Sequence, residues 1–142
     1  MMEKTGMNEK TGIWILGGLA IILGLNGLYM LIDPILWFDT TPGVKRSGAP
    51  NTHFIRDVGI IYFEIAVLIA AAIRYAHLRF ALLMAGGGWL LGHAVFHFVE
   101  ASCGIITWSQ FLIDIPGVIV PGLLVPLLAL ALRPPKQERV HV

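Results

Sequence analysis

Long apolar stretches, separated by short polar segments, dominate the pattern of hydrophobic and polar positions along the chain. A helix that crosses a bilayer needs about 20 predominantly apolar residues. Four stretches reach that length, at about 13–32, 52–73, 78–99 and 111–132. The first ends before Pro34 and the last before Pro134, where proline cannot continue a helix. The pattern predicts an all-α transmembrane four-helix bundle that forms one domain over residues 1–142.

The connection between the first and second stretches, Asp33 to Asn51, is the only long one. Its turn-forming residues predict a cap without helix, and they are Pro34, Pro42, Gly43, Gly48 and Pro50. Connections of this length in compact domains are often functional. The apolar run Ile35–Phe38 is expected either to lie at the membrane interface or to fold over the bundle as a lid.

Composition supports a membrane protein. Of the 142 residues, 56% are hydrophobic and 13% are charged, and the mean hydropathy is +0.76, whereas a soluble domain carries about 25% charged residues. The expected partner is therefore the lipid bilayer. A formal net charge of +1 gives no reason to expect nucleic acid. The single cysteine, Cys103, excludes an internal disulfide and any CxxC motif.

The distribution of basic residues predicts the orientation. Seven fall on one side of the predicted bundle, namely Lys4, Lys10, Arg74, Arg79, Arg133, Lys136 and Arg139. Three fall on the other side, namely Lys45, Arg46 and Arg56. Since loops rich in Lys and Arg stay in the cytoplasm, both termini are predicted to be cytoplasmic. Residue Cys103 then faces outward.

Ionisable residues inside the second and third apolar stretches are the main candidates for a functional site. A charge at the centre of a membrane helix costs about 2.5–3.5 kcal/mol on insertion scales, so it usually marks a site. Residues His53, Asp57 and Glu64 are four and seven positions apart, which places them on one helical face. The expectation is that this face turns away from lipid and toward the interior of the bundle.

The third stretch repeats this pattern in reverse order. Residues His93, His97 and Glu100 are four and three positions apart and share one face. The two stretches are antiparallel neighbours, and Asp57 and Glu100 are expected to lie near the same outer surface of the membrane. Glu64 and His93, each seven residues further in, are then expected to meet at one depth, in direct contact. On the same stretch, Gly86, Gly87, Gly88 and Gly92 are predicted to permit close helix contact, and Gly88-x-x-x-Gly92 is a small-residue interface pattern.

These residues suggest a metal site as one hypothesis. Two histidines at i and i+4 aim at one point, and imidazole with carboxylate ligands suits zinc, iron or copper. The candidate ligands are His93, His97, His53, Asp57, Glu64 and Glu100. Supporting residues around them are Asp114, Arg56 and Asn26. A haem is not favoured, since His93 and His97 share a face and cannot ligate opposite sides of one porphyrin. The alternative is a metal-free hydrogen-bonded network.

Two motifs carry a resemblance to a known family. The segment Asn51-Thr-His-Phe-Ile-Arg-Asp-Val-Gly59 and the segment His93-Ala-Val-Phe-His97 resemble those of small four-helix bacterial membrane proteins of unknown function, which are loosely similar to the DoxX-like group. Residue Asp114, which opens the last stretch, adds to the likeness. The resemblance implies four spans and a multi-pass protein of the bacterial inner membrane. It implies no particular chemistry.

Three functional hypotheses follow from the sequence. The first is an accessory or assembly subunit, bound to a larger membrane complex or to other copies of itself. The second is a membrane-embedded transition-metal or redox site with an enzymatic or sensory role. The third is a small proton-coupled transporter, which is disfavoured because the inner half of the bundle is almost purely apolar. These alternatives include both enzymes and non-enzymes.

Overall fold

The computed structural model describes residues 8–133, in which all regular elements are helical and no strand occurs. The predicted all-α class is confirmed for this part of the chain. The helices are α1 (Glu9–Ile32), α2 (Pro34–Thr40), α3 (Thr52–Arg74), α4 (Arg79–Ser102), α5 (Trp108–Asp114) and α6 (Val120–Ala131). A 3₁₀ turn covers Val44–Ser47, and a wide π-helical turn, Ile115–Ile119, joins α5 to α6. Residues Lys4, Lys136 and Arg139, on which the orientation partly depends, lie outside the described range.

Three helical runs are long and apolar enough to cross a membrane, namely Glu9–Ile32, Arg79–Ser102 and Trp108–Ala131. The last is the continuous path through α5, the π turn and α6. These runs indicate a membrane protein. Helix α3 is of similar length but falls outside this set, because Arg56, Asp57 and Glu64 make it more highly charged.

The four long helical runs pack side by side. Helix α1 packs along α3, α3 along α4, and α4 along α6, whereas α1 and α6 touch over a short stretch only. The largest fully buried side chains between them are apolar, and Leu16, Leu83 and Leu90 are examples. Large apolar side chains also face outward, including Trp14 and Ile22, which are 82% and 66% exposed. A broad apolar outer surface is typical of contact with lipid or with another protein.

Glycine permits close approach at two helix crossings. A Cβ atom on Gly27 of α1 would lie 2.7 Å from the carbonyl oxygen of Gly59 on α3. A Cβ atom on Gly122 of α6 would lie 2.7 Å from the Cβ atom of Ala94 and 2.8 Å from the carbonyl oxygen of Leu90, both on α4. Helix backbones come this close only where the side chain is absent.

The predicted contact at Gly88 and Gly92 is wrong for the residues described. A Cβ atom on either would have no neighbouring atom within 4 Å. The prediction of close contact is confirmed at Gly86, which faces α3, and at Gly87, which faces α6. The Gly88-x-x-x-Gly92 spacing therefore did not identify the face of α4 that packs against its neighbouring helices.

The connection between α1 and α3 also differs from its prediction, because much of it is helical. The Asp33 carboxylate accepts a hydrogen bond from the Leu36 amide, and Pro34 occupies the first helical position of α2, where its missing N–H costs nothing. Residue Phe38 is buried, and the Trp37 indole donates to the Asn26 side chain at 3.0 Å. We call the segment from Asp33 to Pro50 the outer cap, after the side that the sequence predicts for it, and it packs onto the end of the helices.

The opposite end holds a buried arginine that sequence reasoning treated only as part of a basic loop. The Arg79 side chain is 7% exposed; its Nη1 atom lies 2.9 Å from Glu9 Oε1, and its Nε donates to the Ala72 carbonyl. The three helices α1, α3 and α4 are thus tied together at one guanidinium group.

Candidate functional site

A histidine and a carboxylate meet near the outer cap. His97 Nδ1 on α4 lies 2.9 Å from Asp114 Oδ2 at the end of α5, and the two side chains are 21% and 11% exposed. The structure therefore brings together two residues that the sequence placed in one polar region. A carboxylate in this position favours the tautomer that carries its proton on Nδ1, which leaves Nε2 with a free lone pair.

The other oxygen of this carboxylate is also held. Gln110 Nε2 donates to Asp114 Oδ1 at 3.2 Å, one helical turn before it on α5. Gln110 is 7% exposed, and among the described residues its Oε1 atom has no hydrogen-bond partner. The Gly43 backbone of the outer cap lies directly against the Gln110 amide, so a Cβ at that position would collide with it. The outer cap therefore restrains Gln110, which in turn restrains Asp114.

Helix α4 extends the site with aromatic rings at every fourth position. Trp89 stacks on His93 with ring centroids 5.0 Å apart, and His93 meets the edge of His97 at 4.7 Å. Trp89 in turn contacts Tyr62 of α3 at 5.5 Å. Spacing of four residues keeps these α4 side chains on one face, so a continuous row of rings leads from the carboxylate toward the α3–α4 contact.

The polar stripe on α3 does not join this site. Residues His53, Asp57 and Glu64 share a face as predicted, but that face points outward and all three are exposed. His53 Nε2 lies 3.5 Å from Asp57 Oδ2, and both side chains are largely accessible. The expectation that this face points toward the interior of the bundle is wrong for the single chain that the structure describes.

The predicted contact between Glu64 and His93 is also wrong, and the cause is the helix register. The short turn Tyr75–Leu78 sets α3 against α4 so that Tyr62 lies opposite Trp89. In antiparallel helices, positions further along α3 then face earlier positions of α4. Glu64 therefore lies about 9 Å further from the outer end than His93, at the helical rise of about 1.5 Å per residue.

Two of the remaining predicted residues, Arg56 and Asn26, have partners outside this site. Arg56 donates from Nε to the Leu31 carbonyl at 3.3 Å, which ties α3 to the end of α1. Asn26 accepts from Trp37 and supports the outer cap rather than the histidines. Glu100 is half-buried, three positions beyond His97.

The six candidate metal ligands do not converge on one point in the part of the chain that the structure describes. Across residues 8–133, no group of three or more His, Cys, Asp or Glu side chains is placed to hold one metal ion. His53, Asp57 and Glu64 project from the outward face of α3, whereas His97 lies against α5. A bound transition metal stays a prediction. The two histidines of α4, His93 and His97, are the pair that lies close enough to share one ion.

Two features of the site were missed from the sequence. Gln110 was not singled out, although Gln110 and Asp114 are four positions apart and therefore share a helical face. The π turn Ile115–Ile119, directly after Asp114, was not predicted. Turns of this kind inside helices occur frequently at functional sites.

No family model, curated protein or solved structure shows significant similarity to this chain. The likeness to small bacterial membrane proteins therefore stays a prediction based on the two motifs. Residues 8–133 are all-helical, and their three long apolar helical runs indicate a membrane protein.

Proposed function

We propose that the chain is a four-span protein of the bacterial inner membrane, with α3 as the fourth span and both termini in the cytoplasm. Helix α3 packs against α1 and against α4, which supports this assignment. Because both neighbours are proposed to cross the membrane, α3 would lie in the same bilayer. The excess of Lys and Arg at the Arg79 end supports the orientation. The outer cap and Cys103 then face away from the cytoplasm.

Labelling of Cys103 tests this orientation. Residue Cys103 is exposed and is the only cysteine, so the unmodified protein serves as its own probe. In spheroplasts, a membrane-impermeant charged maleimide is expected to label it fully before permeabilisation. Labelling that requires permeabilisation would reverse the orientation. A Cys103→Ser variant with cysteine introduced at His77, in the opposite turn, should show the reverse pattern.

We further propose that the protein acts as an accessory or assembly subunit, with the outward face of α3 against another protein. One observation carries this proposal. Glu64 lies near the middle of α3 and is exposed, with the exposed apolar residues Ile60 and Val67 close to it. Lipid cannot satisfy a carboxylate at this depth, and such residues in membrane helices almost always face protein or a water-filled cavity. A protein partner removes this cost.

The chemistry of Glu64 indicates the kind of partner. A carboxylate is best satisfied by a transmembrane helix that carries Lys or Arg near the bilayer midplane. Exposed cations of the described residues lie near helix ends, as Lys10, Arg56, Arg74 and Arg133 do. A second copy in the same orientation therefore offers no such cation opposite Glu64, which favours a different protein.

Charge substitutions at Glu64 test the association. The protein is solubilised from native membranes in mild detergent, and the mass of its complex is compared among variants. Glu64→Gln is expected to reduce the complex to the free subunit, whereas Glu64→Asp keeps the charge and most of the association. Asp39→Asn, which changes an exposed carboxylate of the outer cap outside the α3 face, is the control and should leave the complex intact. An unchanged mass for Glu64→Gln, or a wild-type protein that is free in all mild detergents, would contradict the proposal.

A further inference from the structure

We propose that His93 and His97 bind one divalent first-row transition ion, with Asp114 as the residue that positions the His97 ring. This site is separate from the outward face of α3 and does not depend on the proposed association. It uses two ligands from the chain, so the remaining coordination positions are open to water or to an external ligand.

The spacing of the two rings fits chelation. Their centroids are 4.7 Å apart, and the rings lie at 76° to each other. Imidazole binds zinc at about 2.0–2.1 Å, with the ring centre about 1.1 Å further back, so two rings held at about 90–110° around one ion have centres about 4.5–5.2 Å apart. The observed centroid separation falls in this interval, and ligation additionally requires each ring to turn one nitrogen toward the shared ion.

Hydrogen bonding prepares His97 as a ligand. A metal-binding histidine nearly always donates its other ring N–H to a carboxylate, a carbonyl or water, and that partner fixes the tautomer and raises the basicity of the ligating nitrogen. Asp114 Oδ2 occupies this position on Nδ1 at 2.9 Å. Gln110 Nε2 holds the second carboxylate oxygen, so the orientation of Asp114 is itself restrained. Among the described residues, no other histidine contacts a carboxylate that is comparably buried.

Charge and surroundings also favour a cation. The Asp114 side chain is 11% exposed and supplies a negative charge directly behind His97. Trp89 stacks on His93 and limits the rotation of that ring. Neutral imidazole ligands suit zinc, copper and nickel, and divalent affinity rises toward copper in this series. We therefore expect Cu²⁺ to bind more tightly than Ni²⁺ or Zn²⁺.

Equilibrium binding to the purified, detergent-solubilised protein tests the site. The reference variant replaces the other three histidines, His53, His77 and His141, with alanine, so that any imidazole ligands come from α4. It is expected to bind one Cu²⁺ per chain by isothermal titration, with nitrogen hyperfine structure from two imidazoles in the electron paramagnetic resonance spectrum. Absence of stoichiometric Cu²⁺ binding in this variant would overturn the proposal.

Single substitutions in that background separate ligation from structural support. His93→Gln and His97→Gln keep hydrogen bonding but weaken ligation, and each should leave at most one imidazole in the spectrum. Asp114→Asn should retain both imidazoles but weaken Cu²⁺ binding by about 10–100-fold, as expected for loss of an orienting partner. Thermal unfolding without metal serves as the folding check. Wild-type-like Cu²⁺ affinity in folded His93→Gln or His97→Gln would contradict the assignment.

Discussion

Replacing Gly122 with leucine is expected to separate α6 from α4 and to lower the free energy of unfolding by about 3 kcal/mol or more. Overpacking of a tight core costs about 1–3 kcal/mol when neighbours can move. Here a Cβ atom would already lie 2.8 Å from the Leu90 carbonyl oxygen, and a backbone atom cannot turn aside as a side chain can. Larger losses than usual are therefore expected.

Gly88→Leu is the matched control for this experiment. Gly88 is also a helical glycine on a long apolar helix, but a Cβ atom there would have no neighbour within 4 Å. Unfolding of both variants in detergent, by heat or denaturant, should show a large loss for Gly122→Leu and a small change for Gly88→Leu. Equal losses would mean that the close crossing of α4 and α6 is not as described.

Removing the Asp114 carboxylate is expected to have the second large effect on stability. The Asp114→Ala change leaves His97 Nδ1 and the buried Gln110 amide without their shared acceptor. A buried donor left without a partner costs about 1–3 kcal/mol. Two donors lose their acceptor here, but His97 is partly accessible to water. The expected total loss of stability is therefore about 2–4 kcal/mol. The α4–α5 contact should loosen first.

Two further variants define this effect. Asp114→Asn retains one carbonyl oxygen and should lose less stability than Asp114→Ala. Asp57→Ala removes an exposed carboxylate, where surface substitutions usually change stability by within about 0.5 kcal/mol. Circular dichroism or fluorescence melts can rank the three. A ranking in which Asp57→Ala is as damaging as Asp114→Ala would refute the role assigned to the Asp114 pair.

Much of the local structure could be predicted from the pattern of residues. Helix positions follow from the length of each apolar stretch, and the shared faces follow from spacings of three, four and seven residues. That reasoning placed His53, Asp57 and Glu64 on one face, and the structure agrees. It did not determine which way the face points, since burial depends on all the neighbouring helices together.

Depth and distant pairing were harder to predict, for separate reasons. The contact between Glu64 and His93 was inferred by aligning the acidic outer ends of two helices, whereas the short turn between them determines the register. The pairing of Arg79 with Glu9 joins positions 70 residues apart, for which the local pattern carries no signal. The helical start of the outer cap could have been predicted from Asp33-Pro34, a capping carboxylate followed by proline. The turn-forming residues that follow led instead to the prediction of a cap without helix.

The contact of the outward α3 face with another protein is tested most directly by site-specific photocrosslinking in intact membranes. A photoreactive amino acid is placed at Ile60 or Val67, next to Glu64, and for comparison at Leu127 of α6, which makes no contact with α3. All three positions are exposed and apolar. The proposal predicts one discrete crosslinked protein from Ile60 and Val67 and only lipid adducts from Leu127. Lipid adducts alone at all three positions would contradict it.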